Sequence, residues 1–189
     1  MANFVAVLDA CVLYPAQLRD LLLRVAISDL FKARWTEQIH DEWISNLLSN
    51  RPDIAPGRLA RTRELMDASV PDCLVTGYEP FIDGLVLPDP GDRHVLAAAI
   101  HCQAGVIVTL NVRDFPEEIV SKHGISVQHP DEFLSHVFDL KPAALCSAVK
   151  GMRESLVNPP KTVNELLDDL RKVGLPRAVN LLETMQELL

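Results

Sequence analysis

Residues 1–15 read MANFVAVLDACVLYP. Phe4 to Leu8 is an unbroken apolar run, closed by a single acid, Asp9. A short continuous apolar run reads as a strand buried on both faces, as in a parallel sheet. An acid at the carboxyl end of such a strand sits on the rim where open α/β sheets place their ligands. A carboxylate is costly to desolvate unless it is paired or binds a cation. Asp9 is therefore a metal ligand, a nucleophile or the N-cap of a following helix, and this stretch leaves all three open.

Outward from that strand, apolar runs and helical periodicity alternate. Leu18, Leu21, Leu22, Val25 and Leu30 mark a helix within residues 18–31, and Ala33 to Trp35 a short strand. Thr36 is an N-cap for the helix TEQIHDEWISNLLSN, which Arg51-Pro52 breaks. Arg58 to Ala68 is a further helix, and Leu74-Val75 and Leu85 to Leu87 are short strand-like pieces. Asp92 opens an alanine-rich helix that ends near Gly105. Val106 to Leu110 is a second buried strand, Asn111 to Pro116 the loop at its carboxyl end, and Ile125 to Val127 a last strand before a helix at residues 131–138. Strands alternating with helices predict βαβ units: a three-layer α/β/α domain around a central, mainly parallel sheet, over residues 1–139. The crossover rule puts Asp9 and the Asn111–Asp114 loop on one rim. Residues 140–189 carry no strand signal. Pro142 to Leu156 is helical, Thr162 to Glu165 is a capping box, and Val179 to Leu189 is a final helix, so this stretch reads as a helical extension that must pack on the α/β part or on a partner.

The chain has 189 residues, 48% of them hydrophobic and 23% charged, enough for one good core. Its four cysteines are far apart with no CxxC pair, and the first residues lack a basic leader. Both features favour a reduced cytoplasmic setting over secretion. No apolar run is long enough to span a bilayer. The net charge of −8 offers no global basic footprint for nucleic acid, so any contact to phosphates must be local. Arg58, Arg61 and Arg63 form the best local basic cluster.

Four acids stand out, each with a plain structural alternative. Asp9 could cap a helix. Glu42 could be a solvated helix residue, with Glu37 and Asp41 as chemical equals. Asp92 could be an N-cap, with Asp89 as its rival. Asp114 could close an Asx-turn. Together on one rim they would repel one another, and a hard divalent cation with oxygen ligands relieves that repulsion. Such a site can position a water, lower its pKa and stabilise an in-line phosphoryl displacement. No Cys/His spacing suggests zinc, and there is neither a G-x-S-x-G elbow nor a glycine-rich phosphate loop.

The pieces FVAVLDACVLYP, IHDEWISNLL, DPGDRHVLAAAI and VIVTLNVRDF, in this order between Ala2 and Phe138, resemble the PIN-domain nucleases. The resemblance is strongest to the VapC-type ribonuclease toxins of bacterial toxin–antitoxin modules. It implies Mg²⁺- or Mn²⁺-dependent hydrolysis of RNA phosphodiesters, with Asp9, Glu42, Asp92 and Asp114 as the acidic site. It also implies a cognate antitoxin as partner, and dimerisation could join two basic edges into one groove. Asn111 lies where many relatives carry Asp and would be a secondary ligand or a donor to one. Thr109 would hydrogen-bond a ligand. Arg93 and Arg113 flank the acids and would hold substrate phosphates or balance local charge. Ala10 and Cys11 depart from the small polar residue that relatives often carry after the first Asp. The tail resembles a C-terminal extension of a longer subset of VapC-like proteins. His40 and His94 are expected at the surface or behind the ligands, and Trp35 and Trp43 in the core.

Two other functions remain. A haloacid-dehalogenase-like phosphatase would use Asp9 as nucleophile, but Cys11 stands where that mechanism wants a second acid. A catalytically inactive PIN module would bind RNA or a partner without turnover.

Overall fold

The computed structural model describes residues 4–189. The chain runs β1 (Val5–Leu8), α1 (Ala10–Leu13), α2 (Ala16–Ile27), β2 (Lys32–Arg34), α3 (Glu37–Asn50), α4 (Pro56–Ser69), α5 (Arg93–His101), β3 (Val106–Val108), α6 (Glu117–Val120), β4 (Ser126–Gln128), α7 (Pro130–Leu140), α8 (Pro142–Ser155), α9 (Val163–Lys172) and α10 (Pro176–Glu183). The strands form one sheet in the order β2-β1-β3-β4, with every pairing parallel. Ala6, Val7 and Leu8 have no exposed surface, as a central strand covered on both faces requires.

The chain steps from β1 to β2 in one direction, then crosses back over β1 to β3 and β4. Right-handed crossovers in opposite directions place their helices on opposite faces, which makes the three layers. α5 packs on β1 and β3, and α2 packs on β2. The strand order reverses between β1 and β3, so a crevice opens beyond their carboxyl ends. Asp9 and the Thr109–Asp114 loop both emerge there.

Several boundaries differ from the sequence expectation. The helix expected over 18–31 begins at Ala16 and ends at Ile27, where Asp29 turns the chain with a φ of 54°. Leu74 makes only an isolated bridge to Trp35, and Leu85 to Leu87 is not a strand. Leu85 and Leu87 are buried while Val86 is 77% exposed, so the alternation that looks like a strand serves packing of an irregular segment. The last helix starts earlier, at Pro176, and ends at Glu183 before a 3-10 turn over Gln186–Leu188. Thr36 caps α3 by accepting from Ile39 N at 3.0 Å, and the Thr162–Glu165 capping box is formed as expected.

The C-terminal helices share the core of the α/β part. α8 packs on α2 and α7, and α10 on α7 and α9. Leu145, Cys146, Leu166, Leu170, Val179 and Leu182 belong to the same buried cluster as β1 and β3. The carboxylate of Asp131 on α7 accepts from the backbone N–H groups of Ala178 at 2.8 Å and Arg177 at 3.0 Å, and so caps α10 from a neighbouring helix.

Candidate metal-binding active site

Asp9 leaves β1 with its backbone N–H donating to Val108 O at 3.1 Å, which ties the end of β1 to the end of β3. Its carboxylate is buried and held by three donors. Oδ1 accepts from Ala10 N at 2.6 Å, and Oδ2 accepts from Thr109 Oγ1 at 2.7 Å and Cys11 Sγ at 3.0 Å. Thr109 is itself fixed by Asn111 N at 3.0 Å, and Leu110 N donates to Cys11 Sγ at 3.2 Å. Asp9 therefore does cap α1, but capping uses one oxygen of a carboxylate with about four acceptor positions. Burial, with the Asp9 charge beside it, pushes the Cys11 thiol up to about 12, so it stays a neutral hydrogen-bonding group.

Asp9, Glu42 and Asp92 line one cavity of about 430 Å³, together with Tyr14, Asn46, Asn50 and Asn111. No Lys or Arg is among the described residues that line it. Asp92 precedes α5 but makes no side-chain capping bond; Asp89, by accepting from Gly91 N at 2.7 Å, caps only the 3-10 turn Pro90–Asp92 that leads into it. The Asp92 carboxylate is left facing other acids. Burial, then the charges of Asp9, Asp89 and Asp114, push it up to about 6. Asp114, in the 3-10 turn Val112–Asp114, lies outside the cavity lining but within electrostatic reach of Asp92. Glu42 is approached at 2.8 Å by Nε2 of buried His94, out of line for a hydrogen bond.

The donor set is one of hard oxygens, and half-buried carboxylates with other acids close by are a place where a divalent cation lowers the energy. The residues fit Mg²⁺ or Mn²⁺ by that chemistry. Among the described residues no three acidic, His or Cys side chains are already gathered at ligating distance, so the acids surround the cavity rather than close on one point.

A protein of Mycobacterium tuberculosis named "Putative ribonuclease VapC50" is 35% identical over 116 residues, which span 60% of this chain and 69% of that one. The chain belongs to the VapC-like PIN ribonuclease family. The family described as the VapC50 C-terminal domain matches residues 130–184, from α7 to the end of α10, and the VapC-like chain thus carries the C-terminal extension as well. No solved structure matches.

The structure also sorts the remaining candidates of this VapC-like chain. Glu37 and Asp41, the rivals of Glu42, are both taken by Arg63, at 3.0 and 3.2 Å. Arg61 pairs with Glu64 at 2.9 Å, so the expected cluster is largely neutralised and Arg58 alone of the three has no ion pair among the described residues. Arg113 is exposed, whereas Nε of Arg93 is buried without a partner among the described residues. His40 is neither at the surface nor behind a ligand. It is fully buried, bonded to Asp67 at 2.9 Å and accepting from Trp43 Nε1 at 3.0 Å, and burial lowers its pKa. Trp35 and Trp43 are core residues as expected. The sequence shows Cys11 only as a departure from the family pattern and gives no motif for Tyr14, Asn46 or Asn50 at the site. Asn46 and Asn50 lie one and two turns beyond Glu42 on α3, a helical spacing that could have revealed them. No described helix is long and apolar enough to cross a membrane.

Proposed function

We propose that the protein is a metal-dependent endoribonuclease, the toxin of a toxin–antitoxin pair, which cuts RNA phosphodiesters at the cavity beyond β1 and β3. The observation that carries this reading is the gathering of Asp9, Glu42 and Asp92 around one cavity without a lining Lys or Arg, where burial and then the neighbouring acids raise Asp92. The ribonuclease name of the VapC50 relative supports the same chemistry. Asp9, Glu42, Asp92 and Asp114 would hold the ion, with Asn111 as a neutral oxygen donor.

Mg²⁺ or Mn²⁺, when bound, supplies a water of lowered pKa and offsets charge on the phosphate. The chain's own part is to hold the acids ready. Thr109 and Cys11 fix one oxygen of Asp9, so the carboxylate cannot rotate away from the cavity. His94 backs Glu42 from the buried side. Asp92, at the start of α5, presents an ionised oxygen once its proton is lost.

A cleavage assay on transfer, ribosomal and messenger RNA with mapped ends tests the proposal. EDTA should abolish cleavage and Mg²⁺ or Mn²⁺ restore it, and Asp9→Asn should lower the rate by more than about a hundredfold. Cleavage that survives EDTA, or that persists in Asp9→Asn, would overturn the reading.

A further inference from the structure

A second cavity, of about 820 Å³, adjoins the acidic one and shares Tyr14, Pro15 and Asn50 with it. Its charge is opposite. Arg19, Arg51 and Arg58 line it, against one acid, Asp53. Arg51 and Asp53 satisfy each other through contacts of 2.8 and 2.7 Å. Arg19 and Arg58 then remain without an ion-pair partner among the described residues. In a chain of net charge −8, with Arg61 and Arg63 both paired to acids, this cavity is lined by two arginines that have no acid partner among the described residues.

Arg19 is pre-positioned. Its guanidinium carbon lies 4.7 Å from the centre of the Trp43 ring, and Nη1 donates to the carbonyls of Leu13 and Tyr14. Arg58 stands in the first turn of α4, whose N-cap, Ala55, makes no side-chain bond and also lines the cavity. The uncapped helix start adds its positive end to the same wall. Tyr14 stands at the junction, its hydroxyl accepting from Asn50 Nδ2 at 3.2 Å.

We propose that this adjoining cavity binds a backbone phosphate of the single-stranded RNA substrate through Arg19 and Arg58, while the Tyr14 ring at the junction stacks on a base of the same strand. The inference rests on the ribonuclease reading and deepens it. A phosphate next along the strand from the cut needs a cationic seat close to an acidic one, and the shared residues provide that adjacency. Fixed guanidiniums bind phosphate oxygens well because their donors match them in geometry. Aromatic stacking tolerates any base, so this seat would set the register of the strand rather than its sequence.

The test is fluorescence anisotropy of a short labelled single-stranded RNA against the full chain in EDTA, over a salt series, beside a cleavage assay with Mn²⁺. Arg58→Ala should weaken binding about tenfold and make the slope of log affinity against log salt shallower by about 0.7, the share of one phosphate contact to a single strand. Arg58→Lys should keep most of the slope. Tyr14→Ala should weaken binding about tenfold with the slope unchanged, and Tyr14→Phe should bind as the parent does. Arg61→Ala, whose guanidinium is paired with Glu64, serves as the unaffected control. If the parent chain cuts RNA but Arg58→Ala keeps its affinity and slope, this cavity is not the phosphate seat, and the nuclease reading stands. If the parent chain neither binds nor cuts RNA, the nuclease reading falls and takes the proposal with it. If a glutamate-rich peptide binds more tightly than RNA and loses affinity in Arg58→Ala, the cavity serves a protein partner and the proposal is overturned.

Discussion

Asp92 shows how one residue's surroundings choose among roles that its identity leaves open. As a residue before a helix it has the credentials of a cap, yet it makes no capping bond, Asp89 caps only the preceding 3-10 turn, and Asp92 lines the cavity with Asp9. Its carboxyl is raised from 3.8 to about 6, first by burial and then by those charges. The folded chain therefore holds the Asp92 proton more tightly than the unfolded chain does. The contribution of this group to stability is greatest below about pH 4, falls as the pH rises toward about 6, and is level above that. In thermal melts in EDTA the stability of the parent relative to Asp92→Asn should fall over that range, and saturating Mg²⁺ at pH 7 should raise the melting temperature of the parent more than that of Asp92→Asn. A stability difference between the parent and Asp92→Asn that stays constant between pH 4 and 6 would contradict this account. The position of Asp92 was legible in the sequence because it follows Pro-Gly and opens a helix. Its freedom from capping was not, since Asp89 and Asp92 differ only in three-dimensional context. The role of Cys11 was hidden in the same way. A thiol two residues after Asp9 has no obvious work until β3 brings Thr109 and Leu110 alongside it.

At the level of elements, local signals were read well wherever a side chain bonds its own backbone neighbourhood. The Thr36 cap and the Thr162–Glu165 box are of that kind. Signals that depend on a distant partner were not. Leu85 and Leu87 alternate with Val86 as strand residues would, but no neighbouring strand takes up their backbone groups. The start of α10 is another case. Pro176 announces a helix, but the N-cap, Leu175, has no side-chain oxygen, and the acceptor comes from Asp131, far away in sequence. Asp131→Ala should leave the N–H groups of Arg177 and Ala178 without this acceptor and cost about 1–2 kcal/mol, as loss of a good N-cap does. Urea denaturation read by far-UV circular dichroism measures it. Asp131→Asn should recover part of the loss, because an amide oxygen still accepts. An alanine variant as stable as the parent would mean that solvent satisfies those groups equally well.

At the level of the whole molecule, the question is whether residues 140–189 are a unit or a layer. The sequence divides the chain at residue 140 because no strand signal follows it, whereas the match to the VapC50 C-terminal domain begins at residue 130, the start of the α/β part's last helix. Packing favours a layer. α8 lies against α2, Gln17 on α2 reaches Asp169 on α9 at 3.3 Å, and the leucines of α9 and α10 are continuous with the core around β1. Three amphipathic helices that bury their apolar faces on a neighbour have little surface left with which to fold alone. The two parts should then lose structure together. Trp35 and Trp43 lie in the α/β part, both fully buried, so their fluorescence follows that part alone, while far-UV circular dichroism is weighted by helices from both parts. In urea the two signals should trace one coincident transition with one midpoint. A circular dichroism transition that precedes the tryptophan transition would show that the extension is a separate domain. In the coincident case, a contact made to α8, α9 or α10 from outside would stabilise the strands that lead into Asp9 and Thr109. Any partner that binds the extension would then also act on the site, through the shared core.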